Sequence, residues 1–243
     1  MHKTKVRARA LAACALGALM LASSAATAEI TAPDSWRKES FTFPLVYAPT
    51  LPYEGAEHVR FTPDWKRFDQ PDGFSYVFMW DIKPTLMEGD VLERAMSVYF
   101  DGLMNNVAIA RNLDAMVSPT AVVLHPLGAP DGWSLAYAGA IHTWNGFAKA
   151  EPLVLNAEIT QRSCGAERMQ VFFALSMADR TAPIWKKLRA ARRSFQIGAV
   201  RSAIDIAKNT WMRSSPQERC VISALSTSGS ALEKPFQVWM APA

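Results

Sequence analysis

Alternate residues from Trp133 to Trp144 read Ser134, Ala136, Ala138, Ala140, His142 and Trp144. In an extended strand these positions share one face. The small side chains let another element approach closely and leave His142 at the rim. From Leu153 to Ser163, Asn156, Glu158, Thr160 and Arg162 also share a face, and Asp81 closes an earlier strand. Should those faces coincide, His142 is placed as a general base, with Glu158 or Asp81 orienting it. That is the equipment of a hydrolase. The same residues also read as the wet face of an antiparallel sheet, with Glu158 and Arg162 solvated and His142 hydrogen-bonded at an edge. The second reading is the simpler one.

Other chemistries have less to stand on. No G-x-S-x-G elbow occurs. Ser35-Trp36-Arg37-Lys38 matches S-x-x-K, but no K-T-G follows and the match lies beside the expected mature terminus, a poor place for a rigid, dry nucleophile. His58, His125 and His142 are far apart, H-E-x-x-H is absent, and Gly55 breaks the helix that would align Glu54 with His58. No metal site is expected. Gly-rich phosphate cradles are missing too, so no cofactor is expected.

Charge is distributed unevenly. From Lys186 to Arg213 there are eight basic residues and one acid, Asp205. Lys186, Arg189, Arg192 and Arg193 recur on one predicted helix. They offer a docking surface for an envelope protein or an anionic surface, or else form an ordinary solvated face. Glu29 to Asp101 holds thirteen acids against seven bases, so the molecule is dipolar. Its total is another matter. The formal +4 of the whole chain comes from Lys3, Lys5, Arg7 and Arg9, and without them 22 basic residues balance 22 acids. A neutral body has no global field to concentrate nucleic acid, and none is expected as a partner.

Those four basic residues begin a leader. They precede an apolar run from Ala10 to Leu21, and small residues then end at Ala26-Thr27-Ala28. This is the layout of a secretory signal peptide over residues 1–28, with a mature chain starting near Glu29 in the periplasm or outside the cell. The apolar run is short for a bilayer span, and no second one follows, so no transmembrane segment is expected in the mature chain. Leu11-Ala12-Ala13-Cys14 matches a lipoprotein cleavage pattern, but most of the apolar run follows Cys14 rather than preceding it. Export leaves Cys164 and Cys220, which most simply pair in an oxidising compartment; two buried free thiols are the alternative.

The elements that must position these groups follow from periodicity. Residues 29–72 are rich in proline and aromatics and read as an extended segment, with short edge strands at Ser40–Leu45 and His58–Phe61. Phe74, Tyr76, Phe78, Trp80 and Ile82 alternate as the inner face of a strand. Asp90 and Glu93 suit a capping box before a helix from Val91 to Met104, continuing toward Arg111. Ala121–His125, Trp133–Trp144, Leu153–Ser163 and Met169–Met177 read as an antiparallel meander. Thr181 and Pro183 open a second helix with Ile184, Leu188, Ala191 and Phe195 inward. Residues 196–243 read as an irregular tail, with Val200–Lys208 helical and Phe236–Met240 a last strand. The expectation is one α+β domain over 29–243: a single, mostly antiparallel sheet with two main helices packed on it.

This element order, from Phe74 to Phe195 with its Ser194-Phe195 helix ending, is similar to PsbP-type domains, which place such a sheet between helices. The resemblance implies no catalytic signature. Within residues 41–65, Phe43-Pro44-Leu45-x-Tyr47-Ala48-Pro49 and Glu57-x-x-Arg60-Phe61-x-Pro63-x-Trp65 resemble a block in exported bacterial proteins of uncharacterised role, which implies location rather than activity. The expected function is a non-catalytic envelope module binding a protein, lipid or small ligand. A periplasmic hydrolase using a His/carboxylate pair is the alternative.

Overall fold

The computed structural model describes residues 30–70, 72–85, 87–113, 119–148 and 151–192. The leader, Arg193, Phe195, Cys220 and the expected tail 196–243 lie outside the described residues. Seven strands form one sheet: β1 (Arg37–Thr42), β2 (Gly55–Phe61), β3 (Tyr76–Ile82), β4 (Ala121–Leu127), β5 (Leu135–Asn145), β6 (Glu151–Ser163) and β7 (Met169–Ser176). Their order is β1-β2-β3-β7-β6-β5-β4. Every neighbouring pair is antiparallel. Helix α1 (Gly89–Ala110) connects β3 to β4, and a second helical segment occupies 184–192. The α+β class with a single antiparallel sheet and two helices is therefore what the chain adopts.

The topology is two meanders zipped together. β1-β2-β3 and β4-β5-β6-β7 each follow the chain, and the β3–β7 pair joins them. That pair lies at the middle of the molecule. Phe78 stands opposite Phe173, with ring centroids 4.3 Å apart and planes 11° from parallel. The predicted inner face of β3 holds: Tyr76, Phe78, Trp80 and Ile82 are buried under α1. Its other face is buried as well. Val77 and Met79 pack with Phe172, Trp133, Ile184, Trp185 and Leu188, so the second helix covers the back of the sheet as α1 covers the front.

The capping box does not form. The N-cap is Glu88, with no side-chain cap bond. Asp90 pairs instead with Arg94 one turn on, at 3.0 Å. Glu93 is drawn away to the sheet, where its carboxylate accepts the Leu124 backbone N–H at 2.7 Å. Two turns further along α1, Asp101 accepts the Thr120 N–H at 2.7 Å, and Ser97 between them donates to the Thr120 carbonyl. The spacing explains the match. Eight helical residues rise about 12 Å and four strand residues span about 13 Å. The polar stripe Glu93-Ser97-Asp101 thus runs along the free edge of β4 like a substitute strand. The next outward position, Pro126, has no N–H to offer. An open edge invites pairing with other chains, and here the stripe occupies three of its backbone groups.

Glu93→Ala and Asp101→Ala are each expected to cost about 1–2 kcal/mol, because each leaves a half-buried backbone donor unpaired. Urea unfolding measures the loss. Size-exclusion chromatography of the double variant is expected to show self-association through the reopened edge, which the single variants lack.

Candidate functional site

The sequence-predicted residues share a face but not a site. His142, Glu158 and Asp81 all lie on the back of the sheet. Glu158 stands opposite Ala138, and His142 lies four residues further along β5, a separation of about 13 Å. Asp81 stands opposite Gln170, which stands opposite Arg162, so Glu158 is again four residues away and two strands over. A general base needs its orienting group at about 3 Å. His142 is exposed beside Val154 and Ala121 on the outer wing of the sheet.

Each carboxylate is already committed. Asp81 receives a two-pronged hydrogen bond from Arg168. Glu158 receives one from Arg189, at 2.5 to 3.1 Å. Arg189 also lies 5.5 Å from the Trp185 ring and donates to the Arg180 carbonyl. It is therefore a staple between helix and sheet, not part of an outward basic face. Arg162 is buried, donates twice to the Gln170 side-chain carbonyl and stacks 4.7 Å over Trp133. Lys186 is exposed, as is Lys187, and Arg192 is half-buried. Cys164 occupies the tight β6–β7 turn, where its N–H donates to the Arg168 carbonyl at 2.8 Å.

Histidines are equally dispersed. His58 is buried on β2 with its Nδ1 2.9 Å from the Ser40 hydroxyl, and His125 is exposed on β4. Ser35 sits in an exposed turn ahead of β1. Among the described residues no group of three His, Cys, Asp or Glu side chains is placed to hold a metal ion. No described helix is long and apolar enough to cross a membrane.

A group missed at the sequence level stands out instead. Glu57 on β2 points into the front core and is fully buried. Its carboxylate accepts three hydrogen bonds from neutral aromatic donors: Trp80 Nε1 at 2.7 Å, Tyr47 O–H at 2.8 Å and Tyr99 O–H at 3.2 Å. These come from β3, from the segment between β1 and β2, and from α1. Among the described residues no cation pairs with it. Its pKa is raised to about 7: burial pushes it up, the three donors offset part of that push, and Glu39 on β1 adds a smaller upward one. Burial likewise raises the Tyr47, Tyr76 and Tyr99 hydroxyls, with the Glu57 charge adding to it.

The surroundings are aromatic and tight. Tyr99 stacks on Phe78 at 5.2 Å and meets Tyr47 edge-on at 5.3 Å. Tyr47's backbone lies against α1 at Gly102, where an added Cβ would come within 1.7 Å of the Tyr47 carbonyl oxygen. Beside Tyr99 is a cavity of about 10 Å³, lined by Phe61, Trp65, Phe74, Tyr76 and Phe147 among others. That is room for about one water. The buried Tyr76 hydroxyl, on the same wall, has no hydrogen-bond partner among the described residues. The sequence carried one signal for this centre. Gly55, Glu57, Val59 and Phe61 alternate with an acid among core-facing positions.

The chemistry available at Glu57 is proton binding in a dry aromatic box. Comparison with protein-family models, curated proteins and solved structures finds no match to this chain.

Two outcomes follow. In the unfolded chain Glu57 ionises near 4.5, in the native protein near 7. Between these values the native state holds a proton that the unfolded state has released. The native preference is therefore complete below about pH 4.5, falls as pH rises, and levels off above about pH 7. The difference is about 3 kcal/mol. Subtracting the pH–stability curve of Glu57→Gln from that of the wild type is expected to isolate this slope. Separately, Arg189→Ala is expected to cost about 1–2 kcal/mol by stranding the largely buried Glu158, whereas Lys186→Ala with Lys187→Ala leaves thermal stability nearly unchanged.

Proposed function

We propose that the protein is an exported, non-catalytic envelope module that docks onto an anionic surface through the outer side of its second helix. The observation that carries this reading is how the helix is seated. Ile184, Trp185, Leu188 and Ala191 are buried against the back of the sheet, and Arg189 is tied to Glu158. The helix is thereby held rigid with Lys186 and Lys187 turned to solvent, and the exposed Arg180 precedes them. Its apolar stripe is already occupied, so contact with a partner is electrostatic and lies on the surface. Each basic side chain near an anionic membrane surface contributes about 1 kcal/mol. Export is supported by the basic-apolar-small order of residues 1–28, and a Cys164–Cys220 bridge is proposed as its companion.

The mature protein is expected to co-sediment with vesicles rich in phosphatidylglycerol and not with phosphatidylcholine vesicles, and to be released by salt. Lys186→Glu with Lys187→Glu is expected to weaken that binding at least tenfold with the melting temperature preserved. Equal binding by this variant, or equal binding to neutral vesicles, rejects the docking surface. Arg189 is left unchanged in this test because its loss perturbs the fold.

A further inference from the structure

The segment between β1 and β2 crosses the front core without joining the sheet. From residue 44 to 53 its backbone hydrogen bonds are local, Ala48 to Leu45 and Leu51 to Ala48; its two ends are tied by Phe43 to Gly55 and by Lys83 to the Glu54 carbonyl. Phe43, Leu45, Tyr47 and Leu51 are buried anchors, while Val46 at the tip is 73% exposed. Within the core this strap is tied to the body by Tyr47 O–H to Glu57, while at its far end Glu54 pairs with Lys83 on the surface. Everything else around Glu57 is stiff. β2 and β3 are laddered into the sheet, and Tyr99 belongs to a 22-residue helix.

We propose that Glu57 is a proton-operated latch on this strap: with its carboxyl neutral the strap is closed over the front core, and with the carboxyl ionised the strap loosens. The reasoning is physical. A neutral carboxyl suits a dry aromatic box. A carboxylate there keeps three donors, but they replace only part of its lost hydration, and among the described residues no cation completes the rest. The groups facing it are Glu39 from β1, itself paired with Arg37 at 2.5 Å, Tyr47 from the strap, Tyr76 from β3 and Tyr99 from α1. None of these facing groups supplies a positive charge to Glu57. β7 presents Val171 and Phe173, which are apolar. Of the elements around Glu57, the middle of the strap is the part held by neither sheet ladder nor helix, so water reaches the charge by moving it.

Hydrogen exchange of the mature protein, corrected for the intrinsic pH dependence of exchange, tests this. Protection at Ala48 and Leu51 is expected to fall about a hundredfold between pH 5 and pH 8, while β3 and β7 amides change far less. The Glu57 carboxyl carbon, followed by NMR in the wild type, is expected to titrate across the same window. Glu57→Gln is expected to abolish the fall. Tyr47→Phe, which keeps the ring and loses the bond, is expected to lower strap protection already at pH 5. The latch is overturned if strap protection is flat while the Glu57 carboxyl titrates, or if Glu57→Gln shows the same fall as the wild type.

Discussion

The pairing of β3 with β7 is the contact on which the molecule depends. It joins two meanders that would otherwise be separate sheets, and it places Phe78 on Phe173 at the centre. Because α1 covers one face here and helix 184–192 the other, β3 is buried on both sides. A strand in that position must be apolar throughout, and Tyr76–Ile82 is, except for Asp81 at its end. Asp81 is tolerated because Arg168 meets it with two hydrogen bonds.

Burial on both faces sets the terms for every polar group nearby. On the back of the sheet the solution is pairing. Glu158 takes Arg189, and Arg162 takes Gln170 and the face of Trp133. Each pair ties one element to another, which is a structural task. On the front the solution is different. Glu57 meets Trp80, Tyr47 and Tyr99 and, among the described residues, no cation, so burial rather than a charged partner dominates its pKa. The same logic of satisfied edges appears at β4, where a stripe of polar side chains on α1 replaces a neighbouring strand.

Much of the architecture was legible. The alternation of Phe74 to Ile82 marked a core strand, and the four later strands fell in the predicted order. The stripe Leu92, Met96, Tyr99, Leu103 and Val107 marked α1 and its buried face. The site was less so. Asp90 and Glu93 had the spacing of a capping box, yet Glu93 bonds to Leu124, 31 residues away. Alternation put Glu57 on a core-facing position, but its partners lie 10, 23 and 42 residues distant, too far for a local pattern to name them. Arg189 looked like one cation among several until Glu158 met it across 31 residues.

Hydrophobic period is a local property, and the sequence alone therefore marked β3, α1 and the four later strands, whereas the edge strand expected at Ser40–Leu45 forms at Arg37–Thr42 and the one expected at His58–Phe61 forms as the interior strand Gly55–Phe61. It also determined the charge balance and the uneven spread of acids and bases. Only the tertiary structure decided which donor meets which acceptor. That choice depends on strand order and register, and a change of four residues in register moves a side chain by about 13 Å. The proposed cleft of His142, Glu158 and Asp81 failed at this level, and the aromatic box around Glu57 arose there.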